Sequence, residues 1–194
     1  MKRLYIFLVF YFIIAFSYAQ RFGKNEEVKK YKSEDVVDET YGITMYARLN
    51  AKIGGDSTRN NSKGYALQGW EQDYYENGEV LHKGFYEDGQ LTIYKNYYDN
   101  GNLERAFKII DFKRCSMILY YSNNKKKSNM MYYNGEVLKA TDYYQNGQIE
   151  YEIENDKSLD FLIYRRAFSE AGNPQEIFEL TNTKKKIYHQ QEYH

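Results

Sequence analysis

Asn-Gly follows a pair of tyrosines again and again along this chain. Tyr74-Tyr75-Glu76-Asn77-Gly78, Tyr97-Tyr98-Asp99-Asn100-Gly101 and Tyr143-Tyr144-Gln145-Asn146-Gly147 are full copies. Tyr132-Tyr133-Asn134-Gly135 is one residue shorter, and Phe85-Tyr86-Glu87-Asp88-Gly89 is a close variant. Asn-Gly and Asp-Gly are the strongest short-range signals for a two-residue hairpin turn, because both central residues must take positive φ. The motif therefore predicts an array of β-hairpins and carries no chemistry of its own.

The turn glycines act as a ruler. Gly78, Gly89 and Gly101 are 11 and 12 residues apart, and Gly135 and Gly147 are again 12 apart. Asn124 fills a glycine slot between them, Gly172 extends the series, and Asn182-Thr183 offers a further turn. Asp111-Phe112 and Asn155-Asp156 are weaker slots. The unit is a strand pair of about 23 residues, so that consecutive strands must be antiparallel neighbours. About ten turns predict roughly eleven strands and a sheet on the order of 50 Å across. The expected fold is all-β: an elongated single-layer antiparallel meander of tandem β-hairpin repeats. Adjacent tyrosines point to opposite faces of a strand, so each pair places a ring on either side and the core is expected to consist largely of aromatic ladders.

Composition agrees. Tyrosine occurs 23 times and proline once, and 27 basic residues balance 27 acidic ones. A neutral chain lacks the basic excess of a nucleic-acid binder. Cys115 is the single cysteine, so no internal disulfide framework exists; it reads as a small, partly buried strand residue.

Lys2 and Arg3, the apolar run Leu4 to Phe16 and Ser17-Tyr18-Ala19 form the pattern of a cleavable signal peptide over residues 1–19. The run is short for a bilayer span, so the expectation is an exported protein with no transmembrane span after cleavage, placed in the periplasm, outer envelope or extracellular space. Residues 20–40 read as a polar linker or arm. Residues 41–64 contain a strand with clean period-2 alternation over 43–53 and a polar loop, together a candidate cap; residues 65–194 are the repeat array.

Gly69-Trp70 through Gly78, followed by Gly84-Phe85-Tyr86-Glu87-Asp88-Gly89, resembles the MORN-repeat variant found in bacterial proteins of the YwqK-type antitoxin-like family. The resemblance covers residues 65–194, most closely over 65–101 and 132–147. It implies an array of hairpins that binds or scaffolds varied partners, and the antitoxin label implies neutralisation of a partner toxin.

The chemical inventory is thin. His82, His189 and His194 lack metal-ligand spacing and read as surface histidines. There is no nucleophile elbow, P-loop or dinucleotide fingerprint. Glu76, Glu87 and Asp99 recur beside turns and read as solvated, whereas catalytic carboxylates need contrasting environments. Lys125-Lys126-Lys127 and Lys184-Lys185-Lys186 read as soluble turns that guard a sheet edge. No catalytic, cofactor-binding or metal site is expected. The candidate partner-binding aromatics are Trp70, Tyr75, Tyr86, Tyr98, Tyr133 and Tyr144. The expected function is a non-enzymatic exported module that binds a protein or envelope component along its aromatic sheet. The alternatives are a carbohydrate-binding surface protein and an antitoxin-like immunity protein.

Overall fold

The computed structural model describes residues 30–31 and 58–193. The signal segment, the alternating strand over 43–53 and most of the polar arm lie outside the described residues. The strands are β1 (Lys30–Tyr31), β2 (Gly69–Tyr75), β3 (Val80–Glu87), β4 (Gln90–Tyr97), β5 (Leu103–Ile109), β6 (Arg114–Tyr120), β7 (Lys126–Tyr133), β8 (Glu136–Tyr143), β9 (Ile149–Asn155), β10 (Leu162–Phe168), β11 (Pro174–Asn182) and β12 (Ile187–Glu192). They form one open sheet in sequence order. The eleven strands β2 to β12 are joined by antiparallel pairings throughout, as the glycine ruler requires. The short β1 adds to the β2 edge in parallel.

The turns alternate in kind, which corrects the expectation of uniform two-residue loops. Asp88-Gly89 and Asn134-Gly135 have positive φ at both positions (48° and 76°, 51° and 79°) and form tight two-residue turns. At Asn77-Gly78, Asn100-Gly101 and Asn146-Gly147 only the glycine is positive. There the loop has three residues: Gly78 N donates to Tyr75 O, and Tyr75 N donates to Glu79 O. This is a type I turn closed by a left-handed residue. Asn124 performs the glycine's task in the degenerate copy, at φ 65°. Three-residue turns thus gather on one border of the sheet and the tight turns on the other.

Each three-residue turn is followed by a bulge. Asp73 pairs with His82 and Tyr74 with Val80, leaving Leu81 extra. The same skip leaves Glu104, Lys127, Glu150 and Gln175 extra in β5, β7, β9 and β11. A bulge breaks strict alternation and lets two successive residues favour one face.

Register defines that face. Gly84, Tyr94, Phe107, Met117, Met130, Ala140 and Ile153 are successive cross-strand neighbours. Tyr86, Leu91, Tyr94, Phe107, Cys115, Met117 and Tyr132 form the buried cluster on it, with Leu67, Leu119, Met130 and Val137 packed alongside. Tyr94 and Phe107 stack at 4.9 Å between centroids. The core is therefore only partly an aromatic ladder, because sulfur-bearing and aliphatic residues fill the middle strands. Cys115 sits in this cluster as a free buried thiol. Gly84 leaves the space that Leu91 and the His82 ring occupy; a Cβ there would lie 2.7 Å from one and 2.4 Å from the other.

A loop over 58–68 folds back at the β3–β4 turn. Arg59 N donates to Gly89 O and Gly89 N to Leu67 O. Arg59 pairs through both terminal nitrogens with the Asp73 carboxylate at 3.2 and 2.6 Å, and its guanidinium lies over the Tyr86 ring. This loop helps to bury the first half of the core face.

Candidate functional site

Two rows of tyrosine and asparagine border the three-residue turns. Tyr75 donates its hydroxyl to Tyr97 O at 2.8 Å, Tyr98 to Tyr120 O at 2.8 Å, Tyr121 to Tyr143 O at 2.7 Å and Tyr144 to Phe168 O at 2.9 Å. Each bond jumps to the next turn on the same border, two strands away. The asparagines repeat the jump. Asn77 Nδ2 donates to Asp99 O and Asn146 Nδ2 to Glu170 O, while their Oδ1 atoms accept Glu79 N and Gln148 N. The Tyr-x-Asn-Gly repeat is thus a set of lateral ties between turns.

That geometry redistributes the candidate aromatics. Tyr86 is fully buried and Tyr75 is 4% exposed, so neither ring is offered to a partner; the register of β2 and β3 turns both into the core. Tyr98 and Tyr144 are half-buried and spend their hydroxyls on ties. Tyr133 is half-buried on the opposite face beside Lys113. Trp70 is 55% exposed, meets Phe85 edge-on at 5.2 Å and has the Lys83 ammonium 5.4 Å from its ring.

His82 is likewise not a surface residue. It is 1% exposed, with Nδ1 2.6 Å from Asn96 Oδ1. It belongs to a polar row across the core face: Asp73, His82, Asn96, Arg105, Leu119, Ser128, Asp142, Tyr151 and Ala167 are successive cross-strand partners. Burial, with the Arg59 charge adding to it, pushes the His82 pKa down to about 4. Glu104, brought to this face by its bulge, is pushed up to about 7 by burial, against the pull of Arg105 and Lys127.

Past Arg105 the row opens to solvent. A groove of about 560 Å³ runs over β6 to β11. Its floor is the row Leu119, Ser128, Asp142, Tyr151 and Ala167, with Met130; the bulge residues Lys127, Glu150 and Gln175 and the tie tyrosines Tyr121 and Tyr144 line it toward the turn border. Ser128 donates its hydroxyl to Asp142 Oδ1. The Lys127 ammonium rests over the Tyr121 ring at 5.8 Å. Lys127 thus lies in the groove wall, not only in a solvated turn. Of the lining, sequence reasoning named only Tyr144 as a candidate; Lys127, Glu150 and Gln175 reach the groove through bulges, for which the recurring interval from Glu104 to Lys127 to Glu150 was the one available signal. The groove offers aromatic faces and hydrogen-bonding groups of both polarities. Among the described residues no cluster of three or more histidine, cysteine or acidic side chains is placed to hold a metal ion.

No family model matches the chain. No curated protein matches it either. Among solved structures, limited likeness is found to TarM (11% identity, TM-score 0.32) and to a mutant of S. aureus TarM in complex with Fondaparinux, alpha-GlcNAc-glycerol and UDP (9% identity, TM-score 0.32). Each alignment covers 50% of this chain and 19% of the other.

Proposed function

We propose that this chain is a non-enzymatic, exported binding module that seats a protein or envelope component in the groove over β6 to β11. The observation that carries this reading is the division of labour among the repeat's tyrosines. On the turn border their hydroxyls hold the sheet together, while the rings of Tyr121 and Tyr144, with Tyr151, line an open groove. A surface fixed by lateral ties loses little entropy on binding, which favours recognition. The polar residues in the groove point to hydrogen-bonded contact: Ser128 already donates its hydroxyl to Asp142 Oδ1, which leaves the other Asp142 oxygen with Glu150, Gln175 and Lys127 to a partner.

Affinity capture from an envelope extract tests the reading. The unaltered chain is expected to retain a partner that Ala167→Arg, which fills the groove floor, releases. Equal capture by both chains, with the variant folded, would refute it. A second reading, a neutral saccharide as groove ligand, is favoured by the three tyrosine rings beside acid and amide groups. A glycan array silent for the unaltered chain would remove that reading.

A further inference from the structure

The face opposite the groove carries its charges unevenly. On β8 to β11 its cations are matched: Lys139 pairs with Glu154 at 2.8 Å, and Arg166 pairs with Glu179 at 2.6 Å and faces Glu152 at 3.6 Å. On β3 to β5 they are not. Lys83 and Lys95 stand directly opposite each other across neighbouring strands, and Lys108 lies one strand further on, opposite Ile93. None of these three ammonium groups has a carboxylate partner among the described residues. Like charges placed directly opposite in a sheet are destabilising, so the chain maintains a repulsion here that it neutralises elsewhere on the same face.

Beside these cations lies the largest exposed ring of the sheet. Trp70, Phe85 and Ile93 are cross-strand neighbours on this face. Lys83 lies over the indole and Phe85 meets it edge-on, yet Trp70 remains 55% exposed. Lys95 and Lys108 are exposed as well.

We infer that this patch of β2 to β5 binds an anionic polysaccharide, with a sugar ring on the indole of Trp70 and acidic groups along the chain paired with Lys83, Lys95 and Lys108. An exposed indole on an open sheet face suits stacking of a sugar ring. Lys83 and Lys95 are direct cross-strand neighbours about 5 Å apart, close to the length of one sugar residue, and Lys108 is the diagonal neighbour of Lys95 at about 7–8 Å, so a polymer lying obliquely across the strands presents an acidic group to each in turn. The inference rests on the reading of the chain as a binding module but uses the other face.

Trp70 is the only tryptophan of the chain and reports on the patch directly. The full chain would be titrated with polygalacturonate, neutral dextran and polyglutamate while indole emission is followed. Polygalacturonate is expected to give a saturable change that weakens as salt rises, while dextran and polyglutamate give none. Lys95→Gln combined with Lys108→Gln should raise the dissociation constant by roughly tenfold, the scale of two surface ion pairs. Lys184→Gln combined with Lys185→Gln, which removes the same charge elsewhere, should leave it unchanged. Ala167→Arg should leave the response intact, which separates this surface from the groove. An equal response to polyglutamate or to dextran, no response to polygalacturonate, or indifference to the Lys95 and Lys108 changes would overturn the proposal.

Discussion

The hydroxyl of Tyr98 lies 2.8 Å from the backbone carbonyl oxygen of Tyr120, one hairpin away. Tyr121, the next residue, makes the same bond to Tyr143. Each repeat therefore ties its own turn to the following one, and the ties accumulate along a border that strand pairing alone leaves separate. Repeats in such arrays touch only their neighbours, so stability resides in nearest-neighbour terms.

Removing one tie should be modest and local. Tyr98→Phe keeps the ring and deletes the hydroxyl, leaving Tyr120 O without that donor. The expected loss is about 1 kcal/mol, read as a lower denaturant midpoint with an unchanged slope. Combining it with Tyr144→Phe, two ties further along, should add the two losses within a few tenths of a kcal/mol.

Two glycines separate conformational from steric demand. Gly147 has φ of 94° and open space around its Cβ position, so Gly147→Ala should cost about 1 kcal/mol through backbone strain. Gly84→Ala meets buried His82 and Leu91 instead, both at under 3 Å, and neither can retreat. Overpacking of this kind costs about 1–3 kcal/mol. Thermal unfolding of the two variants should rank Gly84→Ala as the less stable.

The buried pair His82 and Glu104 should oppose each other in acid. His82 has a folded pKa of about 4, lowered from 6.5, so its contribution is present above pH 6.5 and is lost as pH falls toward 4. Glu104 has a folded pKa of about 7, raised from 4.5, so its contribution is present below pH 4.5 and is lost as pH rises through 7. Each effect is on the order of 3 kcal/mol, and between pH 4.5 and 6.5 they offset. Glu104→Gln should therefore unmask a fall in stability on acidification through that window, measured by denaturant titration at several pH values. A flat profile for that variant would contradict the assignment.

Much of this arrangement was legible in the residues. The glycine ruler located the strands even where Asn124 replaced glycine, because positive φ is a demand that few residue types meet. The opposite-face rule also placed Tyr74 and Tyr75 correctly on either side of β2. What escaped was everything that depends on bulges. Strict alternation would put Glu104 and Arg105 on opposite faces, yet the extra residue lets both be buried, at 9% and 3% exposure. His82 escaped for a related reason: a lone histidine between Leu81 and Lys83 gives no sign of which face the register will bury. The ties escaped because they join residues 22 to 24 apart through a side chain and a carbonyl, a relation that leaves no local pattern.

The groove face of β6 to β11 is expected to receive a partner. A photoreactive phenylalanine analogue placed at Tyr151 on the groove floor, and separately at Tyr164 on the opposite face, tests it in envelope preparations. Cross-linking to a discrete partner from position 151 and none to that partner from position 164 is the predicted result. No adduct from 151, or the same adduct from both positions, would contradict the account.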